Sequence, residues 1–282
     1  MIFKLIISGV SGRIGAEVLA QALRHPSVSS VIALSRRPLP DHACHDRLES
    51  VVLEDFTQYS DEIIVKLSGA DACIWCGNNV SLEFPLVSAD VARCMTTTAG
   101  DPILELQYPL AFARAFAPII GRQSKRFRYL HLTGAIVERD QARSLWFIPS
   151  VRKTKVRHCC VILPCPSHST FDGQENQGAS RLTLIVQGQG ETQMIDFAKD
   201  PSTSGLWETI VARPGMVVKR GTCIGEVSKM LAGSSGWYIR SDELALALIE
   251  AVMHGSEELL EPVALLKKGQ ELFSQRAAKQ AG

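Results

Sequence analysis

The sequence predicts an α/β protein built on a doubly wound parallel sheet, with a small C-terminal elaboration on the ligand side. Three observations predict it. An apolar run, Ile2 to Ile7, leads into spaced glycines and then an amphipathic helix. Further apolar runs alternate with helical stretches, the pattern of a parallel sheet covered on both faces. The length of 282 residues, 46% hydrophobic and 21% charged, suffices for one domain with a full core.

The first element carries most of the functional signal. Gly9-Val10-Ser11-Gly12-Arg13-Ile14-Gly15 follows the strand, and Val18, Leu19, Ala22 and Leu23 then recur on one helical face. A strand, a glycine turn and a helix start bring backbone N–H groups toward a pyrophosphate, provided no side chains block the approach. Gly9, Ser11, Gly12, Arg13, Ile14 and Gly15 are therefore the expected cradle of a dinucleotide, and the fold is expected to be of the Rossmann type.

The second strand, around Val31 to Leu34, ends in Ser35-Arg36-Arg37-Pro38. An NAD site typically places Asp or Glu here, about 20 residues after the turn, to bind the ribose hydroxyls. Arginines instead pair with a 2′-phosphate that a carboxylate would repel. Arg36 and Arg37 thus favour NADP(H) over NAD(H).

The third strand, Leu48 to Leu53, closes on Glu54-Asp55-Phe56, which places Asp55 and Phe56 to meet the adenine. A helix is expected over 60–68. The fourth strand, Ala70 to Trp75, leads to Cys76 and Gly77, then Asn78 and Asn79, small and amide groups suited to the nicotinamide ribose. Met95 to Pro102 reads as loop, and a helix is expected from Pro109 to Ile120. The fifth strand, Phe127 to Leu132, ends in Thr133, and strand carboxyl ends form the ligand crevice of an open sheet. A sixth strand, Thr209 to Gly215, carries Arg213, suited to a pyrophosphate contact or to anchoring the turn. Ser241 or Asp242 caps a last helix, with Leu244, Leu248, Ile249 and Val252 inward. Gly269 to Gly282 is polar and expected to fray.

Composition excludes other classes. A net charge of +1 is far from the basic footprint of a nucleic-acid binder. No run is expected to reach the roughly 20 apolar residues of a membrane span, and no charged leader precedes an apolar stretch. A cytoplasmic protein is expected, with a small-molecule substrate or a dinucleotide as partner; a homodimer stays open. The Cys73-Ile74-Trp75-Cys76 spacing lies in an apolar strand with no source for a lowered thiol pKa. The histidines show no metal spacing.

Together, G-V-S-G-R-I-G, the strand end L-T-G-A, Glu138 to Gln141 with Leu145 to Phe147, and Ala212 to Met216 resemble atypical short-chain dehydrogenase/reductase proteins. The nearest branch is NmrA-like and Tat-interacting-protein-like, especially its fungal members. The resemblance covers nearly all of residues 1–282 except about 156–187 and implies a single NAD(P)-binding domain. Redox-active members use a Ser or Thr after the fifth strand and a Tyr-x-x-x-Lys on the next helix. The lysine lowers the tyrosine pKa, and the phenol then exchanges the carbonyl proton. Thr133 matches the first role and Lys155 the lysine, since the run expected after it is Gly188 to Glu191. The tyrosine position is Val151, and none of Tyr59, Tyr108, Tyr129 and Tyr238 lies in this helix. His131 or a substrate group remains as proton donor. The resemblance thus implies an NADPH-dependent oxidoreductase for a small carbonyl or enone, with a non-catalytic NADP sensor and a cofactor-assisted isomerase or cyclase as alternatives.

Residues 156–187 interrupt the match where it matters most, with prolines on both sides of Cys165 and a polar run that breaks the helix. Leu182 to Val186 has strand character. Two readings stand: a surface excursion, or a retained intron. Val156 permits a GT-initial codon, Gln187 a CAG codon, and Leu182-Thr183 a branch-point-like CTGAC.

Overall fold

The apolar run at the start forms β1 (Phe3–Ser8), the glycine turn opens α1 (Arg13–Arg24), and the chain returns as β2 (Val28–Ser35) beside β1. Next, β3 (Leu48–Val52) pairs outside β2. A short α2 (Asp61–Leu67) follows, its first turn capped by Ser60, whose Oγ accepts from the Ile63 N–H. The chain then crosses to the far side of β1 as β4 (Ala72–Trp75). Strand addition reverses between β1 and β4, which opens a crevice at their carboxyl ends.

The computed structural model describes residues 3–40, 45–77, 101–123, 125–135, 137, 139–140, 175–203, 205–219 and 238–281. In the second half, a π-helical turn (Ile103–Gln107) runs into α3 (Tyr108–Gln123), followed by β5 (Phe127–Leu132), α4 (Glu175–Lys199) and β6 (Trp207–Ala212). A parallel pair, β7 (Met216–Val218) and β8 (Tyr238–Arg240), stands apart from the main sheet. Then come α5 (Ser241–His254), β9 (Leu259–Leu260) and α6 (Pro262–Ala281). The main sheet has the order β3-β2-β1-β4-β5-β6-β9, parallel throughout.

Alternation along each strand feeds two cores. Leu5, Ile7 and Ile74 pack with Val18 of α1, Leu244 and Leu248 of α5 and Leu265 of α6. Ile6, Ile32 and Trp75 pack on the other face with Leu67 of α2, Phe112 and Phe116 of α3 and Met194 of α4. The strands read as continuous apolar runs because both faces are covered.

The structure corrects several expectations. Leu182 to Val186 is not a strand, since α4 passes through it without a break; apolar runs this short fit either element, and length decides. Of the stretch from Gly269 to Gly282, expected to fray, Gly269 to Ala281 is helical instead, as the end of α6. A Cβ at Gly269 would come within 2.5 Å of the Glu243 carbonyl oxygen, so glycine lets α6 lie directly on α5. Arg240 sits over the Phe273 ring at 4.4 Å, and Arg276 Nη1 donates to Gln21 Oε1. Arg240, rather than Ser241 or Asp242, occupies the N-cap position of α5.

The membrane expectation also changes. Ile103–Gln123 is a continuous helical stretch of 21 residues with mean hydropathy 1.2, long and apolar enough to cross a membrane by length and composition alone. Its apolar side serves the core: Phe112, Ala113 and Phe116 are fully buried against the sheet.

Candidate functional site

The glycine turn is shaped by contacts that no side chain would survive. Gly9 has φ +74°, and a Cβ there would lie 2.5 Å from the Cys76 carbonyl oxygen. Gly12 donates its N–H to the Gly9 carbonyl at 2.9 Å and accepts from the Ala16 N–H at 2.8 Å, which starts α1. The first turn of α1 holds no acidic residue. Its N–H groups and the positive end of the helix dipole are therefore uncompensated by any carboxylate there, the setting that favours an anion.

This turn faces an open cleft between the β1, β2 and β4 ends. Its polar side holds Ser8, Gly9, Ser11, Gly12, Ser35, Arg36, Cys76 and Gly77, and its apolar wall holds Leu34, Phe56, Trp75, Leu104 and Tyr108. Phe56 stacks on Tyr108 with centroids 5.4 Å apart and meets Trp75 edge-on at 5.9 Å. Of the expected site residues, Gly9, Ser11, Gly12, Arg36, Phe56, Cys76 and Gly77 thus converge. Ser8, Trp75, Leu104 and Tyr108 were not legible as site residues, since Leu104 and Tyr108 reach the cleft only through the π-turn.

The others sit differently. Arg13, Ile14 and Gly15 form the start of α1, and Gly15 is where the helix touches the turn behind it. Arg37 is exposed, and its carbonyl accepts from Ser35 Oγ at 2.6 Å. Asp55 does not line the cleft. Its carboxylate accepts from the Thr57 N–H at 2.8 Å and Thr57 Oγ1 at 2.7 Å, bonds that hold it below the ordinary Asp range. Asn78, Asn79, Val151, Lys155, residues 95–100 and the 156–174 part of the interruption lie outside the described residues. Cys73 and Cys76 face opposite cores, and burial pushes the Cys76 thiol up to about 12. Neither is an activated thiolate.

Thr133 belongs to a buried ionic cluster. Its Oγ1 donates to Glu191 Oε1 at 2.6 Å. Arg139 Nε donates to Glu191 Oε2 at 2.7 Å, Arg213 Nε donates to Oε1 at 2.9 Å, and Arg213 Nη2 also donates to Oε2. The Glu191 side chain is fully buried. Burial alone would raise its pKa, but the bonds from Arg213, Thr133 and Arg139 win and lower it. Of the two roles expected for Arg213, the structure shows the anchor: it ties the β6 turn to α4. Sequence reading used Glu191 only to align the chain, because nothing local marks it as buried.

His131 is a poor proton donor. It is fully buried, and desolvation lowers its pKa to about 4 despite the nearby Glu191 charge. Beside it, Glu105 of the π-turn is 1% exposed. Desolvation lifts its pKa to about 7, against the hydrogen bond from Gln187 Nε2 at 3.5 Å and with help from Asp101. Glu105 Oε2 and Gln187 Oε1 are both buried without partners, as an unprotonated acid beside an amide must be; a proton on Oε2 relieves the acid. A carboxyl with a raised folded pKa contributes stability fully present below its unfolded value of 4.5 and lost as pH rises through about 7. Glu105→Gln should therefore match the parent near pH 4.5 but exceed it at pH 8 by on the order of 1–3 kcal/mol in urea unfolding. Equal pH profiles would refute the assignment.

No family model matches the chain. A stretch of 139 residues is 37% identical to leucinostatins biosynthesis cluster protein T of Purpureocillium lilacinum, covering 46% of this chain and 42% of that protein. The match thus spans less than half of that relative's length. Among solved structures, a short chain dehydrogenase of Leptospira borgpetersenii serovar Hardjo-bovis, with bound NAD+, aligns at TM-score 0.56 and 13% identity over 94% of this chain and 93% of its own. The PhqB reductase domain of Penicillium fellutanum aligns at TM-score 0.51 and 13% identity over 92% of this chain and 66% of its own. At such identities the likeness is one of architecture, and together with the strand order it leads to one conclusion: this chain has a Rossmann-type α/β fold, as those solved structures do.

Proposed function

We propose that the cleft binds NADPH and that the chain is a cytoplasmic oxidoreductase of the NmrA-like branch acting on a small carbonyl or enone. One observation carries the reading: the Gly9–Gly15 turn presents the bare start of α1 to a cleft whose rim holds Arg36. The tight positive-φ turn at Gly9 and the lack of a first-turn carboxylate fit a pyrophosphate. Arg36, with Arg37 beside it in sequence, fits a 2′-phosphate at the end of β2. Phe56 and Tyr108 supply an apolar wall for a base. NADPH held there would supply the hydride.

The relative's place in a biosynthesis cluster supports an enzyme. A specific observation favours the rival reading, a dinucleotide sensor without turnover. Thr133 gives its proton to Glu191, so its oxygen offers a substrate only lone pairs, and Val151 stands where a proton-donating tyrosine is expected.

Titration with NADPH and NADH tests the binding. Arg36→Ala/Arg37→Ala should weaken NADPH by about 10- to 100-fold, from loss of charge-assisted phosphate bonds, and NADH by less than about threefold. Equal losses would refute the 2′-phosphate assignment. NADPH oxidation across a panel of carbonyls and enones then separates the two readings, because a sensor leaves the absorbance unchanged with every substrate.

A further inference from the structure

We infer that the indole N–H of Trp75 is a hydrogen-bond donor to the adenosine half of the bound nucleotide, received through the space that Gly77 leaves beside it. This rests on the dinucleotide reading and assigns a polar contact in a wall that otherwise looks apolar.

Trp75 closes β4 and is 1% exposed, and its Nε1 is buried with no partner. A buried N–H without an acceptor is unfavourable, so its position calls for one. Trp207 shows the usual solution: its Nε1 donates to Thr209 Oγ1 at 3.1 Å. Around Trp75 the ring is held by Phe56, Phe112 and Tyr129, at centroid distances of 5.9, 5.6 and 6.2 Å. These contacts fix the edge that carries the N–H.

That edge points toward Gly77. The position where a Cβ would sit on Gly77 lies 3.0 Å from Trp75 Nε1, 3.5 Å from Trp75 Cε2 and 3.6 Å from Ser8 Oγ. Among the described residues, no other atom outside the adjoining chain is nearer. An acceptor seated beside this point therefore stands at hydrogen-bond distance from the N–H. Trp75, Gly77 and Ser8 all line the cleft, so the space belongs to the ligand's side. The neighbouring wall of Leu34, Phe56 and Tyr108 suits a flat base, and Arg36 marks the ribose-phosphate end. The acceptor is thus a ring nitrogen or ribose oxygen of an adenosine nucleotide. The carboxylate of Asp55, which the donor amino group of a base would otherwise use as acceptor, is already engaged with Thr57.

The test uses the full chain labelled with 15N at tryptophan, with adenosine 2′,5′-bisphosphate as probe. The Trp75 indole resonance, assigned by its absence in Trp75→Phe, should move downfield on binding, while that of Trp207, already paired, stays in place. Trp75→Phe keeps the ring and loses the donor, and should weaken the probe and NADPH alike by about 5- to 10-fold, as loss of one hydrogen bond implies. Gly77→Ala keeps the donor and fills the space, and should weaken both by at least as much. If the probe binds while the Trp75 resonance stays put, or if both variants bind as the parent does, the Trp75 assignment falls and the dinucleotide reading stands. If the parent binds neither NADPH nor the probe, the dinucleotide reading falls and takes this assignment with it.

Discussion

Glu191→Ala is expected to lower folding stability by about 3–5 kcal/mol, the usual cost of removing one member of a buried ion pair. The carboxylate joins the cluster: both oxygens accept from arginines, and Oε1 also takes the Thr133 hydroxyl. Alanine removes the carboxylate that faces the Arg213 side chain, only 12% exposed. It also separates α4 from the carboxyl ends of β5 and β6. Thr133→Val removes only the hydroxyl bond and should cost about 1 kcal/mol. The two losses can be read from urea midpoints with m held equal. A Glu191→Ala loss below about 1 kcal/mol would mean that the arginines find other acceptors.

The same cluster has a pH signature. A carboxyl whose folded pKa is depressed contributes stability that is present above its unfolded value of 4.5 and lost as pH falls through the folded value. The acid limb of the parent should therefore be steeper than that of Glu191→Gln.

Gly15→Ala is the second large effect. The added Cβ would lie 2.2 Å from the Gly9 carbonyl oxygen and 2.7 Å from its carbon. Both are backbone atoms of the turn, so no side chain can yield, and helix and turn must separate. Overpacking of this kind costs about 1–3 kcal/mol and sometimes more. It also shifts the N–H groups that would face the pyrophosphate, so a loss of dinucleotide affinity beyond tenfold is expected with the loss of stability. Gly12→Ala is the control, because Gly12 has φ −81° and ψ 161°, a conformation open to any residue. It should fold nearly as the parent does. A Gly15→Ala chain with unchanged melting temperature and affinity would show that the close approach is not needed.

The three glycines looked equivalent in the sequence because spacing does not distinguish a turn from a packing contact. Gly9 is required by its positive φ and by Cys76, Gly15 by Gly9 itself, and Gly12 by neither of these. Likewise Arg36 and Arg37 are adjacent in sequence, yet only Arg36 lines the cleft, since neighbours at a strand end diverge. Thr133 was legible as the residue at the end of β5, but its proton acceptor lies 58 positions away on α4.

The chain's own pattern determined the order of the elements from β1 to β5, the glycine turn and its arginine-bearing neighbour. Local periodicity, backbone sterics and charge act over a few residues and can be read in line. The tertiary structure alone decided which polar groups lost water: Glu191 among its arginines, Glu105 against Gln187 and the Trp75 N–H beside Gly77. Burial is set jointly by segments far apart in the chain, and burial is what turns an ordinary side chain into a charge that must be paired, a proton that is retained or a donor without an acceptor.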